Sequence, residues 1–113
     1  MTAAYIFERD LLRLCNRTGM NRVVVAIGDG VAVVPGFGAL SRVSYLIFEC
    51  ADSDIRTHLN RLQDVDTSWL FRVLHQVSVG MHQLHLRRIA HQDLKPSNVL
   101  VFEQCGAKIA DLG

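Results

Sequence analysis

Apolar residues recur at helical spacing most clearly from Trp69 to Arg88. Leu70, Val73, Leu74, Val77, Met81 and Leu84 fall on one side of a helix over that stretch. Arg87 and Arg88 stand at its end, where cations suit the carbonyl terminus. Gly80 interrupts the pattern at a cost of ~1 kcal/mol against alanine, and its missing side chain permits close packing. A shorter amphipathic helix is predicted over 4–16, with Ala4, Phe7, Leu11 and Leu14 on one face and Asn16-Arg17-Thr18-Gly19 as its stop. Ser53 or Asp54 can cap a third, carrying Ile55, Leu59 and Leu62. The polar run Asp64–Ser68 holds further caps for the long helix.

Continuous apolar runs predict strands instead. Val23–Ile27 is rich in valine, Tyr45–Phe48 is mixed, and Val99–Phe102 and Ala107–Ile109 are short. Gly28-Asp29-Gly30 reads as a turn after which Val31–Val34 returns as a strand, broken by Pro35-Gly36-Phe37-Gly38. Gln104-Cys105-Gly106 reads as a tight turn between the last two strands.

Composition narrows the class. The chain has 113 residues, half of them apolar, which suits one small globular domain rather than disordered sequence. The net charge of +1 implies no nucleic-acid patch and no membrane patch. Three cysteines far apart offer neither a metal-ligand spacing nor a disulfide framework, which favours a reducing, cytoplasmic setting. Residues 1–15 contain Glu8, Arg9, Asp10 and Arg13, so no signal-peptide core is expected there, and no apolar run is long enough to span a bilayer. His82 and His85 stand three apart without a third ligand beside them. Oligomeric state is not legible.

The candidate chemistry lies in His91-Gln92-Asp93-Leu94-Lys95-Pro96-Ser97-Asn98. Asp93 is a carboxylate able to act as a general base toward a hydroxyl. Lys95 is a cation able to steady a transferring phosphoryl group. Asn98 offers a neutral oxygen suited to Mg²⁺ when phosphates complete the shell. Pro96 fixes its own φ and pushes Lys95 toward extended geometry, so a loop and not a helix is expected. Asp111 follows 18 positions after Asp93, in Ala107-Lys108-Ile109-Ala110-Asp111-Leu112-Gly113.

These two stretches resemble the catalytic loop H-R-D-L-x-x-x-N and the D-F-G motif of protein kinases, with Gln92 in place of Arg and Leu112 in place of Phe. The resemblance implies an α+β, partial two-lobed kinase fold. It would comprise the regulatory helix and strands of the small lobe, a hinge, two helices of the large lobe and the catalytic loop. The implied division is 1–48 for a partial small lobe, 49–52 for the hinge and 53–113 for a partial large lobe. The resemblance further implies ATP and Mg²⁺ as cofactors and a protein Ser/Thr hydroxyl as substrate, the subtype resting on Lys95. Asp93 and Lys95 would be catalytic, and Asn98 and Asp111 would hold the metal. The backbone of Glu49 and Ala51 would bind adenine over Leu100, with Phe48 closing the back of the pocket. Glu8, with Asp10 as the alternative, would be the acid of the regulatory helix that pairs with a phosphate-binding lysine.

Position argues against Gly28-x-Gly30 and Gly36-x-Gly38 as a kinase glycine loop, because no lysine and no regulatory helix follow at the required places. Residues 28–44 are read instead as an enlarged connection between two small-lobe strands. The chain has only two lysines, Lys95 and Lys108, both far behind Glu8. It ends at Gly113 without an A-P-E segment. A truncated, split or decayed gene product is therefore expected, and the chain alone is expected to be inactive. Two rivals remain: a non-catalytic remnant or pseudokinase-like binding module, and a small-molecule phosphotransferase of kinase-like fold, which Leu94-Lys95-Pro96 disfavours.

Overall fold

The computed structural model describes residues 3–36 and 39–112. Its elements in chain order are α1 (Ala3–Arg17), β1 (Ala26–Gly36), β2 (Ala39–Phe48), β3 (Ser53–Asp54), α2 (Ile55–Arg61), α3 (Thr67–Leu86), β4 (Val99–Phe102) and β5 (Gly106–Ile109). β1 and β2 form a two-stranded antiparallel sheet, and β3, β4 and β5 a three-stranded antiparallel one. This is an α+β architecture, in keeping with the partial fold that the resemblance implies.

The expected turn at Gly28-Asp29-Gly30 is corrected. β1 runs through all three residues, and the pairing with β2 continues from Ala26↔Phe48 to Gly36↔Ala39 with one irregularity at Ala26/Gly28. Side chains from α1 hold it extended. Arg13 pairs with the Asp29 carboxylate at 2.7 Å, Asn16 Nδ2 donates to Ala26 O at 2.7 Å, and Tyr5 OH donates to Tyr45 O at 3.2 Å. An aspartate that a turn would leave solvated is thereby tied to a helix. The expected connection over 28–44 falls within the paired strands β1 and β2; Phe37 and Gly38 lie outside the described residues, as does the last glycine of Asp111-Leu112-Gly113. Val23–Ile27 is likewise not one strand. Val23 bridges Ile109 in parallel, and only from Ala26 does the chain join the hairpin.

Two apolar clusters make the core. One gathers Leu12, Cys15, Met20, Val23, Val24, Leu84, Ile109 and Leu112. The other gathers Ile55, Val73, Val99, Val101 and Ala107. α3 spans both, through Leu84 in the first and Val73 in the second. Gly80 explains how closely it sits. A Cβ there would lie 2.8 Å from Ile109 Cδ1 and 2.9 Å from the backbone oxygen of Arg22, so the helix approaches β5 where only hydrogen fits. The predicted apolar face of α3 is only partly used, since Leu74 is 52% exposed. The hairpin likewise leaves Ile27, Val33, Val43 and Ile47 exposed, an apolar surface of the kind that another layer of protein covers.

Both α2 and α3 start at aspartates. Asp66 Oδ1 accepts from Ser68 N–H at 3.0 Å, and Asp54 Oδ1 accepts from Thr57 N–H at 2.8 Å while its Oδ2 accepts from Thr57 Oγ1 at 2.9 Å. The bonds from Thr57 hold the Asp54 carboxyl below its ordinary range. A depressed acid contributes stability above its unfolded pKa and loses it as pH falls through the folded pKa. Acidification below the normal aspartate range is therefore expected to speed amide exchange at Thr57, and Asp54→Asn should flatten that pH dependence. An unchanged pH profile in Asp54→Asn would remove the cap from the account.

Candidate functional site

Pro96 does hold the loop open ahead of it: Lys95 is extended, with φ −151° and ψ 164°. Pro96–Asn98 then closes a single 3₁₀ turn, a small correction to a plain loop, with Pro at its first position. That turn feeds Asn98 into the body of the protein, where it is 8% exposed. Asn98 Nδ2 donates to Asp93 O at 2.9 Å, and Asn98 O accepts from Ala110 N–H at 2.8 Å. The nitrogen end of the amide is spent on the loop, so of the two ends the oxygen is the one with the chemistry to ligate a cation.

His91 fastens the same two segments. Asp93 N–H donates to His91 Nδ1 at 3.1 Å, so the ring proton lies on Nε2, which donates to Ala110 O at 2.8 Å. Two bonds thus join the Asp93 loop to Ala110, the residue before Asp111, and two more brace the loop internally. Asp111 itself adopts φ +58°, a left-handed conformation uncommon outside glycine. Asp93 and Asp111 both line a cleft of about 410 Å³, together with Phe7, Leu11, Gln92 and Leu112. Asp93 is largely exposed and its carboxylate pairs with Lys95 Nζ at 3.1 Å in solvent.

Glu8 lies on α1, near enough to Asp111 for the two charges to interact. Burial, and secondarily the charge of Asp111, push its carboxyl above the usual range. A raised acid costs stability in full above its folded pKa, and that cost disappears as pH falls and the group protonates. Glu8→Gln is expected to raise the melting midpoint of this chain by about 1–3 °C at neutral pH, with the gain vanishing under acid. A midpoint that falls at neutral pH would mean that Glu8 is paired with a cation.

On the other side of the sheet, Leu100 is half-buried on β4 opposite Lys108. Glu49 lies just after β2, with its N–H donating to Val25 O at 3.0 Å. Its carboxylate, to which the sequence assigned no role, accepts from Lys108 Nζ at 2.8 Å. A signal for this was present: Lys108 interrupts the apolar strand Ala107–Ile109, and a lysine so placed is rarely buried unless paired. Ala51 stands half-buried between β2 and β3. Among the described residues no group of three or more His, Cys, Asp or Glu side chains could hold a metal by itself. An amide oxygen and a single carboxylate suit only a cation whose shell is completed by a ligand's oxygens.

Residues 8–113 match the family described as the protein kinase domain. The chain belongs to the protein kinase family. It is a core segment of the kinase domain, running from the regulatory helix to the D-x-G strand. It is 37% identical over 73 residues to Cyclin-dependent kinase 1 of Encephalitozoon cuniculi (strain GB-M1), a match covering 61% of this chain and 25% of that protein. It is 40% identical over 70 residues to Cell division control protein 2 homolog 3 of Trypanosoma brucei brucei, covering 61% of this chain and 22% of that protein. The kinase segment thus spans about a quarter of the length of the curated relatives it matches. No helix among the described residues is long and apolar enough to cross a membrane.

Proposed function

We propose that this segment supplies the catalytic core of a protein serine/threonine kinase, with ATP and Mg²⁺ as cofactors and a protein hydroxyl as substrate. The carrying observation is the pair of hydrogen bonds that fixes the Asp93 loop to Ala110, with Asp93 and Asp111 lining one cleft. Asp93 orients the hydroxyl and accepts its proton. Lys95, paired with Asp93 here, would steady the γ-phosphate. Asn98 and Asp111 would hold Mg²⁺, which offsets phosphate charge when bound. The Glu49 carbonyl and the Ala51 backbone N–H and C=O hold adenine above Leu100. Glu8 answers to a phosphate-binding lysine that these 113 residues do not contain. The division into 1–48, 49–52 and 53–113 belongs to the same proposal, although Leu12 and Val24 share one core cluster with Leu84 and Ile109 across it.

The test is a chimera in which residues 8–113 replace the matching segment of a complete kinase domain. It should phosphorylate a serine or threonine substrate, and Asp93→Asn should cut turnover by about 10²–10⁴-fold with the melt unchanged. Turnover that survives Asp93→Asn overturns the assignment.

A further inference from the structure

The chain crosses from one sheet to the other through residues 22–25. On the β5 side, Val24 N–H donates to Ile109 O and Ile109 N–H donates to Arg22 O, each at 2.9 Å. On the hairpin side, Glu49 N–H donates to Val25 O at 3.0 Å. The N–H of Val25 goes to a side chain instead: it donates to Glu49 Oε1 at 2.9 Å. The same oxygen accepts from Lys108 Nζ at 2.8 Å. Both side chains are well covered, Lys108 at 11% and Glu49 at 24% exposure, so the pair is poorly screened by water. Lys108 and Leu100 are directly opposed in the β4–β5 register, and opposed residues of an antiparallel pair share a face. The Lys108 ammonium also lies 5.0 Å from the centre of the Phe102 ring, which adds a cation–π contact to its anchoring.

We infer that the Glu49–Lys108 pair is a positioning device for the nucleotide site, holding the connector at 49–51 in fixed register with the Leu100 side of the sheet. The inference rests on the proposal that this connector reads adenine with its backbone. A backbone reader has no side chain to adjust, so its selectivity depends on how rigidly its peptide groups are held. Here one carboxylate oxygen joins the connector to Val25 and to β5 at once. The side chains of Lys108 and Glu49 touch no nucleotide in this arrangement. They act through the peptide groups that do.

The experiment uses the 113-residue chain with Lys108→Met, Lys108→Arg, Glu49→Gln and the Glu49→Gln/Lys108→Met double variant. Two quantities are read well below each melting midpoint: amide exchange at Val25, Glu49 and Ile109, and the dissociation constant of a trinitrophenyl-ATP probe. Lys108→Met should speed exchange at Val25 and Glu49 and weaken the probe, each by about tenfold, the scale of one charge-assisted bond. Ile109, whose N–H is bonded to Arg22, should keep its protection. Lys108→Arg should recover most of both losses, and the double variant should be no worse than the poorer single one. A Lys108→Met chain that melts lower but keeps wild-type exchange at Val25 and wild-type probe affinity overturns the inference, because a merely structural pair behaves that way. Should Lys108→Met fail to fold, Glu49→Gln and Lys108→Arg decide by the same two readouts. A wild-type chain that does not retain the probe overturns the adenine assignment of the connector, and the latch is then decided by Val25 exchange alone.

Discussion

Purified as these 113 residues and supplied with Mg²⁺-ATP and a generic protein substrate, the chain is expected to transfer no phosphoryl group above the level of its Asp93→Asn variant. Phosphoryl transfer asks little covalent chemistry of a protein and a great deal of positioning. The positions of Asp93, Asn98 and Asp111 are present and braced. The grip on the α- and β-phosphates is not, because neither lysine of the chain precedes Glu8 and Lys108 is committed to Glu49. The charge that acts on Glu8 here is that of Asp111, a second carboxylate, where the family resemblance calls for a cation. Nothing among the described residues follows the D-x-G strand to hold a peptide hydroxyl near Asp93. The measurement is label transfer from γ-labelled ATP, wild type against Asp93→Asn. Turnover that this substitution abolishes would show that the loop and its braces suffice for the reaction.

Leu84→Ala is expected to unfold the chain or bring it close to unfolding at room temperature. Leu84 has no exposed surface and sits where α3 meets α1, the crossing segment and β5. Removing such a side chain costs about 2–5 kcal/mol, against a total stability of roughly 5–15 kcal/mol for an ordinary domain. This chain lies at the low end, since the apolar faces of the hairpin and of α3 are only partly covered. Leu74→Ala, on the same helix at 52% exposure, is the control and should change stability by no more than about 0.5 kcal/mol. Urea titration of the three proteins checks both. Equal losses at Leu84 and Leu74 would mean that α3 packs through a different face from the one described.

The helices and the chemical loop were legible from sequence because their causes are local. Spacing of apolar residues placed α1 and α3 within one or two residues at most ends, aspartates marked two helix starts, and Pro96 set the geometry before Asn98. Gly106, at φ +87°, turned the chain between β4 and β5 as its residue type suggested. Local signals misled where a distant partner outweighed them. Gly28-Asp29-Gly30 has turn composition, yet Arg13 and Asn16 of α1 and the full ladder of β2 keep it extended. The joining of Asp93, Asn98 and Ala110 was implied by a motif but made by tertiary hydrogen bonds across 12 to 19 positions. The pairing of Glu49 with Lys108, 59 positions apart, was beyond any spacing rule, because charge complementarity names no partner until the fold brings two side chains into one desolvated place. What the sequence by itself determined was the two motifs that carry the family resemblance and which segments are helical. Which strands pair, which faces are covered and which charge answers which were decided only by the tertiary structure, since those depend on contacts between residues far apart in the chain.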